Sequence, residues 1–282
     1  MPDESHAPVP RHAPRKRFGQ HFLTDRAALE KIVDAVADGC SAGDVIVEIG
    51  PGQGALTDVL LARGLRVVAV EIDRDLVRLL RERYAAQAAF RIVEGDALAI
   101  DLAQAGGPAY RLVGNLPYYI TTPLIFHALA SPRPARAVFL VQREVADRLV
   151  AAPGSPEYGA LTVNVRSVAT VEMIGKVKAG AFHPPPKVDS AIVRLEPRPD
   201  ILVGPDDERA FREFVIAMFG QRRKQAARAL RHVRHVEPEV ALSILRQAGF
   251  DATRRAETLT PDEFAQLFFA AAEHDGRPNE AP

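Results

Sequence analysis

A polar and aromatic segment follows an apolar run in the middle of the chain. Residues 112–120 read LVGNLPYYI, so an amide, Asn115, is followed by Leu116, Pro117 and two tyrosines. A turn after a buried strand requires only a glycine. The amide, the proline and the tyrosines that follow it therefore indicate a ligand. The Asn115 side-chain oxygen and a neighbouring backbone carbonyl can accept both hydrogens of an exocyclic amine, which aims its lone pair at an electrophile. Tyr118 offers a ring face on which a nucleobase can stack.

A glycine-rich turn and two acidic residues come earlier in the chain. The segment VEIGPGQGALT, residues 47–57, follows a predicted strand and opens a predicted helix. Its glycines let the backbone pass close to a ligand at positive φ. Glu71 ends the second predicted strand about 20 residues later, where an acid can bind a ribose diol, and Asp96 ends the third, where it could accept from an adenine amino group. Three successive strand ends therefore favour a ligand over a purely structural turn.

The glycine turn by itself leaves two cofactor classes open. Gly50, Gly52 and Ala55 satisfy the dinucleotide fingerprint G-x-G-x-x-G/A, which keeps an NAD-dependent dehydrogenase as an alternative. The spacing of Gly50, Gly52 and Gly54 instead resembles the S-adenosylmethionine site of methyltransferases. Taken singly, the later amide could cap a turn and the tyrosine could be a half-buried core aromatic. An amide, apolar, proline and aromatic run directly after a strand suits a base amine, however, and a dehydrogenase has no use for it.

These segments are positioned by short apolar runs that alternate with helical patterns. Strands that are apolar on both faces and separated by helices predict a mostly parallel, seven-stranded α/β sheet covered on both sides. The predicted strands span residues 45–49, 66–72, 90–93, 110–114, 138–141, 168–174 and 191–195, and the predicted helices between them residues 26–37, 55–62, 74–84 and 123–130.

After Pro197 the pattern changes to helices only, which predicts a small all-α domain. Helices are predicted over residues 211–219, 222–233 and 238–248. The last helix begins with Thr260 as N-cap, Pro261 at the first position and Glu263 completing a capping box. We expect the boundary near residues 197–205, with tails over residues 1–14 and 276–282.

One segment of the helical part, residues 219–235, carries six cations and no acid. Cationic side chains fall on one face of its predicted helix and apolar ones nearly opposite. A solvated face is the usual explanation of a charge run, but the absence of compensating carboxylates favours contact with phosphates. The residues expected to bind RNA are Arg222, Arg223, Lys224, Arg228 and Arg231, with a second patch at Arg15, Lys16 and Arg17.

Composition excludes several classes of protein. The chain has 36 lysines and arginines and 36 acids, so net charge indicates no partner. The single cysteine, Cys40, excludes an internal disulfide framework and a cysteine-rich zinc site, and fits a reducing cytosol. No apolar run is long enough to span a bilayer, and the first residues lack the apolar core of a signal peptide. We therefore expect a cytoplasmic protein without a membrane or metal partner.

Together these motifs resemble the KsgA-type small-subunit rRNA adenine N6-dimethyltransferases, a branch of the Rossmann-like, S-adenosylmethionine-dependent methyltransferases. The resemblance runs from about Arg15 to Phe269. The segments that carry it are RKRFGQHFL, VEIGPGQGALT, VEIDRDL, EGDAL, VGNLPYYI, VQREVADRLVA, AFHPPPKVDSAIVRL, FGQRRK and RAETLTPDEFAQL.

The resemblance implies roles for individual residues. His21 and Leu23 match a segment that closes over the cofactor. The family commonly has asparagine where this chain has His21, so a contact made by the backbone would be kept at this position and a contact made by the amide side chain would be lost. Phe182 matches an aromatic that helps to sandwich the target base. The positions that match the cofactor site are Gly50, Glu71, Asp96 and Asn115, and those that match the methyl-acceptor site are Asn115, Leu116 through its carbonyl, and Tyr118.

The family resemblance also implies a substrate, two adjacent adenosines in a loop near the 3′ end of 16S rRNA, each methylated twice during small-subunit assembly. It implies a catalytic domain over residues 15–200, an RNA-binding helical domain over residues 201–275, and a monomer. Two alternatives stay open: a large-subunit rRNA methyltransferase of the antibiotic-resistance type, and a non-catalytic RNA-binding assembly factor. The segments PPPKVDS and RAETLTPDEF match the small-subunit branch better, and the intact Glu71, Asp96 and NLPY set argues against the assembly factor.

Overall fold

The computed structural model describes residues 20–41, 43–221 and 224–274. The strands of this part are β1 (Phe22–Leu23), β2 (Val45–Ile49), β3 (Arg66–Glu71), β4 (Phe90–Glu94), β5 (Tyr110–Asn115), β6 (Arg136–Gln142), β7 (Ala169–Val177), β8 (Phe182–His183) and β9 (Ser190–Pro197). Its helices are α1 (Arg26–Ala37), α2 (Ala55–Ala62), α3 (Arg74–Arg83), α4 (Leu102–Gly106), α5 (Thr121–Ala128), α6 (Arg143–Val150), α7 (Ala160–Arg166), α8 (Glu208–Gly220), α9 (Ala226–Arg234), α10 (Pro238–Gln247) and α11 (Pro261–His274).

Seven strands form one sheet in the order β4-β3-β2-β5-β6-β9-β7. The pairs from β4 to β6 are parallel, and β9 runs antiparallel to both of its neighbours. The predicted mostly parallel seven-stranded sheet is confirmed. From β2 the chain passes outward through β3 to β4 and then returns to β5 on the other side of β2. Open α/β sheets bind ligands at such a reversal, outside the carboxyl ends of the strands.

The sheet is buried on both faces, as its continuous apolar strands require. Alternate residues of one strand point to opposite faces. Leu112 of β5 accordingly belongs to one core cluster, with residues of α5, α6 and α7. Its neighbour Val113 belongs to another, with residues of α1 and α2. Helices on both faces leave the ends of the strands as the exposed edge where polar side chains can gather.

The helices after β9 share a third core cluster, which also contains Tyr158 and Val163 from the region of α7. The Tyr158 hydroxyl donates to the carbonyl of Leu259 at 2.6 Å. The predicted capping box of α11 is confirmed, because Thr260 N–H donates to Glu263 at 2.8 Å and Glu263 N–H donates back to Thr260 Oγ1 at 3.1 Å. The division into domains near residue 200 stays a prediction.

Some elements differ from their predicted bounds. Helices α4, α6 and α7 and the antiparallel pair of β1 with β8 were not predicted. Helix α9 begins at Ala226 rather than at residue 222, because Gln225 is extended and forms a bridge with Arg255. Lys224 therefore precedes the helix. No helix in the described ranges is long and apolar enough to cross a membrane.

Candidate active site

A cavity of about 260 Å³ opens at the strand ends beside the reversal between β2 and β5. It is lined by the glycine turn after β2, the ends of β3 and β4, the segment after β5, and β1. The cavity brings together eight of the residues expected from the sequence to form the site: His21, Leu23, Gly50, Glu71, Asp96, Asn115, Leu116 and Tyr118.

The glycine turn passes close to β1 in a conformation that side chains disfavour. Gly50, Gly52 and Gly54 have φ of 68°, 57° and 88°, which lies in the left-handed region. A Cβ on Gly52 would stand 2.9 Å from the ring of Phe22. The turn therefore requires glycine both for its backbone and for the approach of β1.

Glu71, at the end of β3, is 5% exposed and faces this turn. Its Oε2 accepts from Gly52 N–H at 3.3 Å and its Oε1 from Asp73 N–H at 2.9 Å. Burial raises the pKa of the carboxyl, and these backbone donors oppose that effect. A carboxylate has about four acceptor positions, so these donors leave part of its accepting capacity free for a ligand hydroxyl.

Asp96 lies after β4 with an exposed side chain. Its Oδ1 accepts from Leu98 N–H at 2.9 Å, which fixes the carboxylate at the cavity wall. No other hydrogen bond to this carboxylate comes from the described residues, so its second oxygen can accept from an amino group.

The orientation of the Asn115 amide follows from its partner. Asn115 Nδ2 donates to the backbone carbonyl of His21 at 2.8 Å. A carbonyl oxygen can only accept, so the amide nitrogen must face it. The side-chain oxygen is consequently left as an acceptor at the end of β5. The next residue, Leu116, is 1% exposed and donates its N–H to the carbonyl of Leu140 at 3.0 Å.

Tyr118 is held at its hydroxyl and on one ring face. The hydroxyl lies 2.8 Å from Ser190 Oγ. The ring of His21 stacks on it with the ring centroids 5.7 Å apart and the planes 25° apart. Burial raises the pKa of the Tyr118 phenol, and the Ser190 hydrogen bond partly offsets that rise. Tyr118 is thus a neutral, oriented ring rather than an acid or a base.

His21 contacts Asn115 through its backbone. Its Nδ1 lies 2.8 Å from the carbonyl of Pro184, so the side chain donates to the proline loop. Its carbonyl accepts from Asn115. A backbone acceptor is independent of residue type, which explains how histidine can stand at this position without loss of the contact to the amide.

Phe182 does not line the cavity. The other cofactor and acceptor residues expected from the sequence, all within the described ranges, do line it. Phe182 is 4% exposed and lies opposite Leu23 in the β1–β8 pair. Both side chains belong to the core cluster under β1. Because the antiparallel pairing turns this ring inward, the structure does not bring Phe182 to the position of a base-stacking partner.

The cations of residues 219–235 lie on the helical part of the chain. Lys224, Arg228 and Arg231 are exposed, and none forms an ion pair with a carboxylate of the described ranges. Ala226 and Leu230 are buried on the opposite side of α9. Arg222 and Arg223 lie outside the described residues, as does the patch at residues 15–17.

One buried acid at the site was not expected. Glu48 of β2 is 1% exposed and lines the cavity, and Thr57 Oγ1 donates to its Oε2 at 2.6 Å. Burial, with smaller contributions from Glu71 and Asp58, raises the pKa of Glu48 to about 8, against the hydrogen bond from Thr57. An acid inside the apolar run VIVEI was the signal that could have revealed it. Within the described ranges no group of three or more His, Cys, Asp or Glu could hold a metal ion.

A glycine turn and acidic strand ends at the reversal of a mostly parallel sheet, together with the amide and tyrosine after β5, fit a Rossmann-like methyltransferase. A family model described as ribosomal RNA adenine dimethylase matches residues 11–273. Ribosomal RNA small subunit methyltransferase A from Bordetella petrii is 45% identical, over 91% of this chain and 95% of the relative. The protein of the same name from Synechococcus sp. is 47% identical, over 89% and 91%.

Solved structures agree with these sequence relatives. A dimethyladenosine transferase from Plasmodium falciparum superposes with a TM-score of 0.78 at 27% identity, covering 91% of this chain and 98% of that one. The 23S rRNA methyltransferase ErmE gives 0.67 at 27% identity, with coverage of 88% and 98%. The chain belongs to the ribosomal RNA adenine dimethylase family and is an rRNA adenine dimethyltransferase. The dehydrogenase alternative is therefore wrong.

Proposed function

We propose that this enzyme transfers methyl groups from S-adenosylmethionine to N6 of two adjacent adenosines in the loop of the 3′-terminal hairpin of 16S rRNA, during assembly of the small subunit. The observation that carries the proposal is the Asn115 amide, whose nitrogen is held by the His21 carbonyl at 2.8 Å so that its oxygen is left to accept. The names of the sequence relatives support the small subunit as the source of the RNA.

The residues at the strand ends fit S-adenosylmethionine. The remaining acceptor positions of Glu71 suit the two ribose hydroxyls, and the second oxygen of Asp96 suits the adenine amino group. Gly50 leaves open space where a side chain would stand, since no atom lies within 4 Å of a Cβ built there. Asn115 bounds the same site, and His21 and Leu23 cover it. When bound, the cofactor supplies an electrophilic methyl group.

The acceptor side orients a weak nucleophile. The lone pair of an adenine amino group is delocalised into the ring. The Asn115 oxygen and the Leu116 carbonyl accept the two hydrogens, which favours a pyramidal nitrogen and aims its lone pair into the cavity. Pro117 has no N–H to compete for these acceptors. No general base is required, because the amine becomes acidic only once it is alkylated.

The target base stacks on Tyr118 and must leave its own stack to do so. A base that already carries one methyl must still fit, so the acceptor pocket cannot be tight. Phe182 stays a prediction as a second stacking partner. Because it is 4% exposed, that role requires β1 and β8 to move.

The helical part, residues 201–275, supplies the RNA-phosphate contacts in this proposal. The exposed cations Lys224, Arg228 and Arg231 lie together at the start and along one side of α9. Arg222 and Arg223 adjoin them in the chain. A cationic surface without paired carboxylates attracts the phosphate backbone irrespective of base sequence. The monomeric state and the cytoplasmic location stay predictions.

A second candidate is methylation of large-subunit rRNA, because ErmE, a 23S rRNA methyltransferase, shares the fold over 88% of this chain. The sequence relatives are more similar and favour the small subunit. The intact acceptor and cofactor positions argue against a non-catalytic assembly factor.

The discriminating experiment supplies labelled S-adenosylmethionine to unmethylated small subunits and, in parallel, to large subunits. Label in small-subunit RNA alone is expected. Label only in large-subunit RNA would keep the chemistry and overturn the substrate. Binding of S-adenosylmethionine and not of NAD, measured by calorimetry, is the control for an intact site.

A further inference from the structure

The mouth of the cavity carries one aromatic ring that the proposed chemistry does not use. Four of the residues that line the cavity bear aromatic rings: His21, Phe22, Tyr118 and Tyr119. The first three are only partly exposed, whereas Tyr119 has 60% of its surface exposed. Its hydroxyl has no hydrogen-bond partner among the described residues. The ring is thus free on the side that a substrate approaches.

The turn that carries this ring is fixed on both sides. Before it, the Tyr118 hydroxyl lies 2.8 Å from Ser190 Oγ. After it, Ile120 N–H donates to the Pro117 carbonyl at 3.2 Å, and the Ile120 side chain packs against the core. Tyr119 is therefore presented from a short preorganised turn, and little backbone freedom is lost when something binds to it.

The position of Tyr119 distinguishes it from the other exposed apolar residue of the cavity. Ile72 is 46% exposed and also lines the cavity. It follows Glu71 at the end of β3, which is the side proposed for the cofactor. Tyr119 comes after β5, four residues beyond Asn115, on the side proposed for the methyl acceptor. An isolated exposed apolar residue needs no explanation, but an exposed aromatic ring at the acceptor side of a base-binding cavity does.

We propose that Tyr119 is a stacking platform for the nucleobase that neighbours the target adenosine in the RNA strand. The inference rests on the proposed function, in which the target base lies beside Asn115 and Tyr118. Taking that base out of its stack leaves one face of its neighbour uncovered, and the Tyr119 ring replaces the lost partner. Tyr118 and Tyr119 are adjacent in the chain and both line the cavity. The Tyr119 ring is thus within reach of the nucleotide next to the one that stacks on Tyr118.

Fluorescence gives a direct test, because the chain contains no tryptophan. Tyr119→Trp introduces a single indole at the cavity mouth. Binding of an unmethylated RNA hairpin with two adjacent loop adenosines is expected to quench it. Val150→Trp is the matched control, since Val150 is 36% exposed at the end of α6, outside the helical part, and does not line the cavity. Equal quenching in both variants, or none in Tyr119→Trp, would contradict the proposal.

Affinity identifies the occupant. Tyr119→Ala is expected to weaken binding of this RNA by about 5- to 150-fold, the effect of losing one base stack, whereas Tyr119→Phe keeps the affinity. S-adenosylmethionine affinity should be the same in all three proteins, which shows an intact fold. With an abasic nucleotide beside the target, on the side that Tyr119 covers, wild type and Tyr119→Ala should bind equally.

Two outcomes separate the inference from the function on which it rests. If the affinity gap between wild type and Tyr119→Ala persists with an abasic nucleotide on either side of the target, or is absent with intact RNA, the platform is overturned. If wild type binds S-adenosylmethionine but methylates no small-subunit adenosine, the proposed function fails, and the platform fails with it.

Discussion

At the scale of single residues, the site depends on an amide that is oriented by the backbone of a distant segment. The bond from Asn115 Nδ2 to the His21 carbonyl joins residues 94 positions apart. It determines that the oxygen of the amide, and not its nitrogen, is left to accept, since the carbonyl can only accept. The Asn115 oxygen is therefore preorganised before RNA binds, and such preorganised dipoles stabilise developing charge without further reorganisation.

Replacement of this amide tests the acceptor role. Asn115→Ala should lower turnover by about 10²–10³-fold, by analogy with loss of one oxyanion-hole donor, and should lower RNA affinity less. Single-turnover methyl transfer measures the first effect and equilibrium RNA binding the second. Asn164→Ala is the control, because Asn164 is a buried asparagine outside the cavity whose amide has no partner in the described region. Unchanged turnover in Asn115→Ala would remove the residue from the mechanism.

Two alanine substitutions separate the strain of a positive φ from the close approach of β1 to the glycine turn. Gly52 and Gly64 both have positive φ, but only a Cβ at Gly52 meets a neighbour, the Phe22 ring at 2.9 Å. Each substitution by alanine should cost about 1 kcal/mol of stability through the left-handed conformation. Only Gly52→Ala should also weaken S-adenosylmethionine binding, which calorimetry measures. Equal cofactor affinity in both variants would show that the approach of β1 to the turn does not matter for binding.

Residue types in the segment after β5 predicted the acceptor site, but two contacts around it could not be read from the sequence. His21 replaces the asparagine that is common in the family. Only the fold shows that the His21 backbone carbonyl, and not its side chain, accepts the hydrogen bond from Asn115. Phe182 carries no local sign that it will pair with Leu23 and turn inward. Both depend on the β1–β8 pair, whose partners lie about 160 residues apart.

At the scale of elements, the long and strongly periodic segments were predicted well. Helices α1 and α2 and strand β2 have the predicted bounds, since each has apolar residues at the spacing of its element and turn residues beside it. Three helices were missed: α4 and α7 are five and seven residues long, too short for a periodic pattern, and α6 is eight residues long, so length alone does not explain it. The start of α9 was misplaced because a tertiary bridge to Arg255 keeps Gln225 extended.

If the cationic face of α9 binds RNA phosphates, the affinity for RNA should depend on salt concentration through its arginines. Each arginine that neutralises a phosphate releases counterions, so Arg228→Gln should reduce the slope of log affinity against log salt by about 1. Filter binding of small-subunit RNA over a salt series measures the slope. Arg209→Gln is the control: Arg209 is exposed on α8 and pairs with Glu213 at 3.1 Å. An unchanged slope in Arg228→Gln would refute phosphate contact at that residue.

At the scale of the whole molecule, the buried acid under the glycine turn couples stability to pH. The pKa of Glu48 is raised from 4.5 to about 8 in the folded chain. Between these values the folded state binds more protons than the unfolded state, so this group makes stability fall as pH rises, by at most about 1.4 kcal/mol per pH unit.

Glu48→Gln should remove that dependence while keeping an acceptor for the Thr57 hydroxyl. Its free energy of unfolding, relative to wild type, should increase by about 2 kcal/mol between pH 5.5 and pH 7.5. Urea unfolding at the two pH values measures this difference, and Glu213→Gln, an exposed acid on α8, is the control. If the difference in free energy of unfolding between wild type and Glu48→Gln is the same at both pH values, Glu48 is not held neutral by the fold.

The identity and position of the product test whether this enzyme dimethylates N6 of two adjacent adenosines, as we propose. Unmethylated small subunits are incubated with the wild-type enzyme and S-adenosylmethionine, and the RNA is digested and analysed by mass spectrometry. Two neighbouring N6,N6-dimethyladenosines are expected in the 3′-terminal hairpin loop, and none with Asn115→Ala at the same incubation time. Methylation at another atom, at a single adenosine only, or elsewhere in the RNA would contradict the proposal.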